Sequence, residues 1–511
     1  MREAIIMHFK WLLPAGAAFA AAFGAASAFA DGGTLKIGRD QDSNTLDPIF
    51  TIENADIWVL NNMNAKLVEV NEDMTGVAPD LAKSWDISED KTTYTFHLRE
   101  GLKFSDGSAL TASDVEFSLE RLRDEKESVL RSMFQVMEDV KAPDEHTVVI
   151  ELEHPSAPFL SALAVFSASI LPEDVVKERG DDFGTNPVGA GAFKFKTWER
   201  GNRIVLEKNP HYHKDGQPKV DEVQWLVEAN DNTRILKLQA GEIDAAIFIP
   251  FSRVEGLQND PNVQVHLDPS SREDHVLINH EHPPLDNVKV RRALYHAIDR
   301  EGIIDAVLFG HGTVATSFVP KGQMFHNPDT PTYDYDPDKA RQLLDEAGVE
   351  DLTLEIITAA GNETQQQTAV LLQNMLKQVG IELNIVKQEP GQTWDTIVQG
   401  EYDLSLNYWT NDIIDPDQKA TFSVYGENDA KSYYTRYHNP EVAKLVEKGR
   451  TVLDAEKRRD IYYKIQEMAK KDVHWIDLYY SPFRNASHQY VENFHQTPMG
   501  RFTLEMTEIN K

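Results

Sequence analysis

Cysteine is absent from this chain of 511 residues. The protein therefore has no disulfide framework, no thiol nucleophile and no thiolate metal site. A bacterial lipoprotein carries its lipid on a cysteine behind the export signal, so we also expect no lipid anchor.

Basic residues are few in relation to acidic ones. Lys and Arg number 51 against 83 Asp and Glu, for a net charge of −32. Nucleic acid binding requires basic patches, so we expect no nucleic acid partner. The excess of carboxylates mildly favours cationic ligands, but a generic acidic surface explains it equally simply, and we prefer that interpretation.

Long apolar runs are absent beyond the N-terminus. Arg2 and Lys10 precede an apolar run over residues 11–29, and Ala28-Phe29-Ala30 has the A-x-A form of a cleavage site. This pattern predicts a signal peptide over residues 1–30, with Met1 and Met7 both candidate starts. No later stretch approaches the ~20 apolar residues of a spanning helix. We therefore expect a protein exported to the bacterial periplasm and soluble there.

Motifs of common enzymes are also missing, among them the G-x-S-x-G elbow, H-E-x-x-H and the P-loop. An exported hydrolase with two distant acids stays open as an alternative. The histidine pairs His211/His213 and His280/His282 lack a third ligand nearby, so we expect no metal and no other cofactor.

The C-terminal half has the clearest periodicity. Asp336-Pro337 starts a helix that Gly348 ends, and strands are predicted over residues 352–358, 381–386 and 402–408. Helices over residues 365–379 and 393–399 separate these strands. A βαβαβ order predicts an α/β fold with a largely parallel sheet covered by helices.

The N-terminal half is mixed. Strands are predicted over residues 34–39, 92–98, 148–152 and 191–196, the last two antiparallel. Thr111 and Asp114 resemble a capping box that starts a helix. No Pro/Gly-rich linker separates domains, so we expect lobes that pack together.

An acidic loop follows the last of the C-terminal strands. Residues 409–417 read Trp-Thr-Asn-Asp-Ile-Ile-Asp-Pro-Asp. In open α/β sheets ligands sit at the carboxyl ends of strands, so this loop is a candidate binding mouth. Asp415 directly precedes Pro416 and suits the N-cap of a helix, whereas Asp417 is expected to be solvated.

Short motifs along the whole chain after residue 30 give a series with a known counterpart. They are found, in order, at residues 78–85, 94–107, 110–115, 186–191, 238–244, 290–294, 297–300 and 339–348. In this order they make the chain resemble the extracytoplasmic solute-binding proteins of ABC transporters, of the peptide/nickel/oligopeptide type (family 5).

The resemblance implies a two-lobed periplasmic binding protein fold, type II and cluster C-like, with an extra subdomain in the N-terminal lobe. We place the N-terminal lobe at residues 31–273, with the extra subdomain at about 66–185. The C-terminal lobe is placed at 274–484, and residues 485–511 return to the first lobe. The chain is expected to cross between lobes near residues 272–277 and 481–487.

The resemblance also implies site residues. In peptide-binding relatives the aspartate matching Asp412 pairs with the ligand's α-amino group, and Trp409, Thr410 and Asn411 surround it here. Tyr408 either lines the pocket or belongs to the core of its strand, and core is the interpretation we prefer. Dipeptide-type relatives place an arginine for the ligand carboxylate in the loop at residues 359–363, where this chain has none.

Further contacts are expected around the ligand. Asn362 lies in the loop that lacks the arginine, Asn44 and Thr45 follow the first strand, and Phe166 is placed to close one end of the pocket. Ordinary loop packing is the alternative for the last three.

The function implied is a periplasmic component that binds an amine-bearing solute, an oligopeptide first of all, by hinge closure, and delivers it to the ABC permease of the inner membrane. A non-peptide cationic or opine-like solute is the alternative, because an acidic pocket without the arginine suits it. A hydrolase and a subunit that presents its ligand to a chemoreceptor are the others. We expect a monomer.

Overall fold

The computed structural model describes residues 32–71, 74–427, 432 and 434–511. Residues 1–30, predicted as a signal peptide, lie outside the described residues. The described chain forms one compact α/β unit from Gly32 to Lys511. None of the helices within it is long and apolar enough to cross a membrane.

The described residues form twenty-one strands and fourteen α-helices. The strands are β1 Thr34–Arg39, β2 Val68–Val70, β3 Val77–Pro79, β4 Ala82–Ile87, β5 Thr93–Leu98, β6 Met137–Asp144, β7 Thr147–Leu152, β8 Phe193–Glu199, β9 Arg203–Lys208, β10 Glu222–Val227, β11 Ala245–Ala246, β12 Val263–Asp268, β13 Glu273–Ile278, β14 Thr313–Val314, β15 Thr353–Ala359, β16 Glu382–Gln388, β17 Leu404–Trp409, β18 Trp475–Tyr480, β19 Phe483–His488, β20 Val491–Glu492 and β21 Glu508–Ile509. The helices are α1 Asn54–Met63, α2 Ala112–Asp124, α3 Phe159–Ala162, α4 Glu173–Arg179, α5 Asp231–Gln239, α6 Phe251–Gln258, α7 Val288–Ala297, α8 Arg300–Val307, α9 Pro337–Ala347, α10 Glu363–Gln378, α11 Pro390–Gln399, α12 Pro416–Val424, α13 Pro440–Thr451 and α14 Ala455–Asp472.

Two large sheets organise these elements. One has seven strands in the order β12-β19-β11-β1-β10-β9-β8, and the other has six in the order β14-β18-β13-β17-β15-β16. Apolar side chains cover both faces of the six-stranded sheet, since Val276 of β13 packs in one cluster and Leu277 in another. Each sheet therefore carries its own core.

A four-stranded sheet, β4-β5-β7-β6, forms between β1 and β8 and packs with α2. The predicted capping box is confirmed, because the Asp114 carboxylate accepts a hydrogen bond from the backbone N–H of Thr111. This sheet falls inside the range assigned to the extra subdomain, whose boundaries stay a prediction.

The predicted helices and strands of the C-terminal half are confirmed within a few residues. Asp336 caps α9, and Gly348 ends it in the left-handed conformation, which glycine adopts without the strain of a side chain. The prediction of a largely parallel sheet is wrong. Among the described strands of the six-stranded sheet, the only parallel pairings are those of β15 with β16 and β17, whereas the pairings of β13 and β18 are antiparallel.

The chain passes between the two large sheets twice, at residues 269–272 after β12 and at residues 481–482 after β18. These two crossing segments bond to each other. The Ser270 hydroxyl donates to the Ser481 carbonyl, and the Ser481 hydroxyl donates to Asp274 at 3.1 Å. Two adjacent crossing segments allow the two lobes that they connect to rotate about one axis.

Candidate functional site

The acidic loop at residues 409–417 lies between the two large sheets. It leaves β17 of the six-stranded sheet, yet Ile413 packs in the core beside the seven-stranded sheet. A guanidinium N–H of Arg501, from the C-terminal segment, donates to the backbone carbonyl of Asp412 at 2.5 Å. The loop therefore joins both halves of the molecule.

Asp412 is a half-buried carboxylate, and none of the described cations lies within ion-pair distance of its side-chain oxygens. Its Oδ2 accepts one hydrogen bond from the Gln418 amide at 2.7 Å, and the Gln418 side-chain oxygen accepts from the Asp412 N–H at 2.8 Å. Burial raises the pKa of Asp412 to about 6, although Gln418 and the charge of Arg501 act in the opposite direction. Its side chain forms no ion pair with the residues described, and a buried carboxylate in that state favours a cationic partner.

Asp415 caps α12, as predicted. Its carboxylate accepts from the Asp417 N–H at 2.9 Å. It also accepts two hydrogen bonds from the guanidinium of Arg458, at 2.5 and 2.7 Å, and both side chains are almost fully buried. Asp415 thus holds the loop to α14 and leaves no oxygen for a ligand.

The prediction that Asp417 is solvated is wrong. The residue is 8% exposed, and its Oδ1 accepts from Arg450 Nε at 3.0 Å and from the Tyr462 hydroxyl at 3.3 Å. These partners come from α13 and α14, far along the chain, so no local pattern announces them. Asp415 and Asp417 form ion pairs with arginines, whereas Asp412 forms none with the described residues.

Tyr408 does not belong to a hydrophobic core, so the preferred interpretation of its strand position is wrong. The guanidinium of Arg272 lies 3.7 Å from the centre of its ring. Its hydroxyl accepts from the Asn54 amide at 3.4 Å. Because Asn54 begins α1 on the other half of the molecule, Tyr408 bridges the two halves.

The three residues after Tyr408 surround the same space. Trp409 stacks on Phe422 with ring centres 5.0 Å apart. The Asn411 N–H donates to the Ser271 hydroxyl at 3.0 Å, and its side-chain oxygen is buried without a hydrogen-bond partner. The methyl group of Thr410 lies 3.5 Å from where a side chain would start at Gly500. Ligand roles for these three residues stay predictions.

The other predicted ligand contacts have structural partners of their own. The backbone N–H groups of Asn44 and Thr45 donate to the carboxylate of Asp56 at 2.7 and 3.4 Å. Asn362 caps α10, and Phe166 is 1% exposed in the core beside the seven-stranded sheet. Their roles in ligand binding stay predictions.

Sequence reasoning missed two residues of this region. Asn54 gave no signal, because a polar residue at a helix start is ordinary. Arg272 lies in the crossing segment and donates to Asp274 at 2.9 and 2.7 Å while stacking on Tyr408. An arginine beside an aspartate in an extended segment has no pattern that separates it from surface residues.

The histidine pairs considered for metal point to separate partners. His213 pairs with Asp80 at 2.9 Å, His282 with Asp403 at 3.1 Å, and His280 with the carbonyl of His474 at 3.0 Å. In the part of the chain that the structure describes, no group of three or more metal-ligating side chains comes together.

Comparisons with known proteins fit this architecture. A sequence profile of the bacterial extracellular solute-binding proteins, family 5, matches residues 76–431. The probable D,D-dipeptide-binding periplasmic protein DdpA of Escherichia coli K12 is 30% identical, over 93% of this chain and 94% of its own.

Solved structures share the two-lobed fold. The Helicobacter pylori periplasmic binding protein DppA, in complex with the peptide STSA, has a TM-score of 0.87 at 27% identity, with 94% of this chain and 99% of that chain covered. AgaA of A. tumefaciens R10, in complex with agropinic acid, has a TM-score of 0.85 at 27% identity and the same coverage. The two large sheets described above are the lobes of this fold.

Proposed function

The chain belongs to the bacterial extracellular solute-binding proteins of family 5, and we propose that it binds an amine-bearing solute, in the first place a short peptide, for an ABC importer. The residues proposed to contact the solute are those of the loop at 408–412, with Asp412 as the anchor of the amine.

One observation supports the amine above all. Asp412 is half-buried between the lobes, and Gln418 orients its carboxylate without neutralising it. An ammonium group would donate a charge-assisted hydrogen bond to that carboxylate, and enclosure between the lobes strengthens such a bond because water is excluded. Neither Asp415 nor Asp417 has this capacity, since arginine side chains already neutralise them.

Hinge closure is the proposed mechanism. Tyr408 and Asn54 meet across the lobes, and so do Arg501 and the backbone of Asp412. A solute held by groups from both lobes binds fully only when they meet, so binding shifts the population towards the closed form. We propose that the permease in the inner membrane recognises that form.

We also propose where the protein is found and its oligomeric state. The relative DdpA is named a periplasmic protein. We propose that residues 1–30 are a signal peptide, that the mature chain is a monomer in the periplasm without a lipid anchor, and that it converts no substrate.

An opine-like solute is the second candidate. AgaA, whose fold matches closely, is in complex with agropinic acid. The loop between β15 and α10 lacks the arginine that a dipeptide clamp uses, and Asn362 there serves as a helix cap. We therefore propose that this loop does not hold the solute carboxylate as it does in dipeptide-type relatives.

A matched set of probes tests the solute class. Trialanine and agropinic acid each carry a carboxylate, and trialanine has a free amine that N-acetyltrialanine lacks. We expect trialanine to raise the melting temperature and to be recovered unaltered, whereas the acetylated peptide gives no shift, because it cannot donate from an ammonium group to Asp412. Equal shifts from both peptides would contradict the amine anchor, and release of alanine would favour a hydrolase.

The affinity for an amine-bearing solute should depend on pH. Because burial raises the pKa of Asp412 above its value in an unfolded chain, protonation of this carboxyl stabilises the unliganded protein at low pH, and that contribution is lost as pH rises through about 6. A bound ammonium group favours the ionised form. We therefore expect the affinity for trialanine to fall about tenfold between about pH 7 and about pH 5.

Calorimetry at the two pH values measures this change in affinity. Repeating it in buffers of different ionisation enthalpy gives the number of protons that are released on binding. Asp412→Asn should remove the dependence, since an amide does not titrate in this range. A dependence that persists in Asp412→Asn would show that another group carries it.

A further inference from the structure

Arg484, in β19, is the most unusual cation near the crossing segments. Its guanidinium carbon lies 5.5 Å from the ring centre of Phe248 and 4.4 Å from that of Phe251. Its Nε is buried and has no hydrogen-bond partner. Among the residues that the structure describes, no carboxylate forms an ion pair with Arg484.

Packing on two aromatic rings does not by itself account for this arginine. A cation over an aromatic ring is stabilised only modestly. A guanidinium has five N–H donors, and a buried donor without an acceptor is destabilising by at least as much. An acceptor that arrives with the solute would remove that cost.

The charges around Arg484 favour an anion. Its pKa is lowered to about 10, first by burial and then by the nearby charge of Arg272, while Asp274 acts against both. Asp274 is already engaged, because it accepts two hydrogen bonds from Arg272 and one from Ser481. Tyr479 and Asp231 are the other titratable groups near Arg484, and Asp231 pairs with Arg234. One positive charge is thus left over, in a protein whose net charge is −32.

Arg484 also lies beside the candidate site. Arg272, whose charge acts on Arg484, stacks on Tyr408, and the loop that carries Asp412 begins directly after Tyr408. Arg484 follows one crossing segment by a single residue, whereas Arg272 ends the other. An anion placed between the two guanidinium groups would bind both crossing segments at once.

We propose that Arg484 binds a carboxylate of the solute, with Arg272 beside it, so that the protein selects zwitterions whose amine is held at Asp412. This rests on the proposed function. Arg484, from the opposite lobe, would then take the place of the arginine that is missing between β15 and α10. The carboxylate is either the C-terminus of a short peptide or an acid group of an opine-like solute.

Calorimetry with trialanine, trialanine amide and agropinic acid tests the proposal. In the wild type, we expect amidation to lower the affinity about 10- to 100-fold, the range for loss of a hydrogen bond to a charged group. Arg484→Gln should lower the affinity for trialanine to that for the amide and leave the affinity for the amide unchanged. Arg484→Lys should give an intermediate value, because lysine keeps the charge but not the paired donors. A loss for agropinic acid in place of trialanine would assign Arg484 to an opine carboxylate and overturn the selection of zwitterions, because the nitrogen of agropinic acid is a lactam nitrogen without a positive charge.

Arg203→Gln is the matched control, since it removes one positive charge from an exposed pair with Glu199. Equal affinity of the wild type for trialanine and its amide, together with equal affinity of the wild type and Arg484→Gln for agropinic acid, would overturn the proposal. An equal loss for acid and amide in a folded Arg484→Gln would also overturn it. If amine dependence at Asp412 persists in either case, the proposed function stands and only the carboxylate site falls. If the wild type binds none of the three probes, both fall.

Discussion

Asp412→Asn is expected to weaken the binding of amine-bearing solutes by about 1.5–3 kcal/mol, or roughly 10- to 150-fold in affinity. The substitution keeps the shape of the side chain and removes its charge. The Gln418 amide can still bond to the side-chain oxygen that it now contacts at 2.7 Å. What is lost is the attraction between a carboxylate and an ammonium group in a site removed from water. Calorimetry with trialanine measures the difference.

The unliganded variant should be as stable as the wild type or more stable. A carboxylate whose pKa is raised to about 6 by burial is held at a cost near neutral pH, and the asparagine has no such cost. Weaker binding together with an unchanged or higher melting temperature would identify Asp412 as a ligand residue. Weaker binding with a much lower melting temperature would instead identify it as a structural residue and would remove the amine anchor.

Asp415→Ala, unlike Asp412→Asn, should destabilise the protein and lower the free energy of unfolding by about 3–5 kcal/mol. The substitution leaves the guanidinium of Arg458 buried without its two carboxylate bonds. It also removes the N-cap of α12, a further loss of about 1 kcal/mol in typical cases. Urea denaturation followed by far-UV circular dichroism measures the change.

Asp460→Ala is the control for this prediction. Asp460 pairs with Arg459 on the exposed face of α14, so its loss should change stability by less than about 0.5 kcal/mol. Combining Asp415→Ala with Arg458→Met should restore part of the loss, because no unpaired charge then remains buried. If Asp415→Ala and Asp460→Ala had the same midpoint, the Arg458 pair would contribute nothing and the account of the loop would be wrong.

Local signals in the sequence predicted the elements around the site well. Asp336 and Gly348 mark both ends of α9, and Asp415 before Pro416 marks the start of α12. Each of these signals acts through hydrogen bonds within one turn of the residue. Such short-range interactions can be predicted from the local sequence without knowledge of the fold.

Contacts between distant segments account for the errors. Asp417 is neutralised by Arg450, 33 residues away, and a spacing of that length has no periodic signature. The six-stranded sheet is mixed because β13 and β18 join it from other parts of the chain, where the βαβαβ order gives no information. Tyr408 alternates correctly with Leu406, but Arg272 and Asn54 come from elements outside the strand.

The candidate site shows the same division. Asp412 could be named as a candidate because a resemblance supplied its proposed role, and its loop follows a strand that periodicity reveals. Arg484 could not, since its lack of an acceptor is a property of the folded neighbourhood and not of the segment that contains it.

Native mass spectrometry of the wild type and Asp412→Asn, each purified from the cells that produce it, tests the amine anchor without any guess about the solute. We expect the wild type to retain a small molecule with a protonatable amine and Asp412→Asn to lose it while remaining folded. A retained solute without an amine, or the same occupancy in both proteins, would rule out Asp412 as the amine anchor.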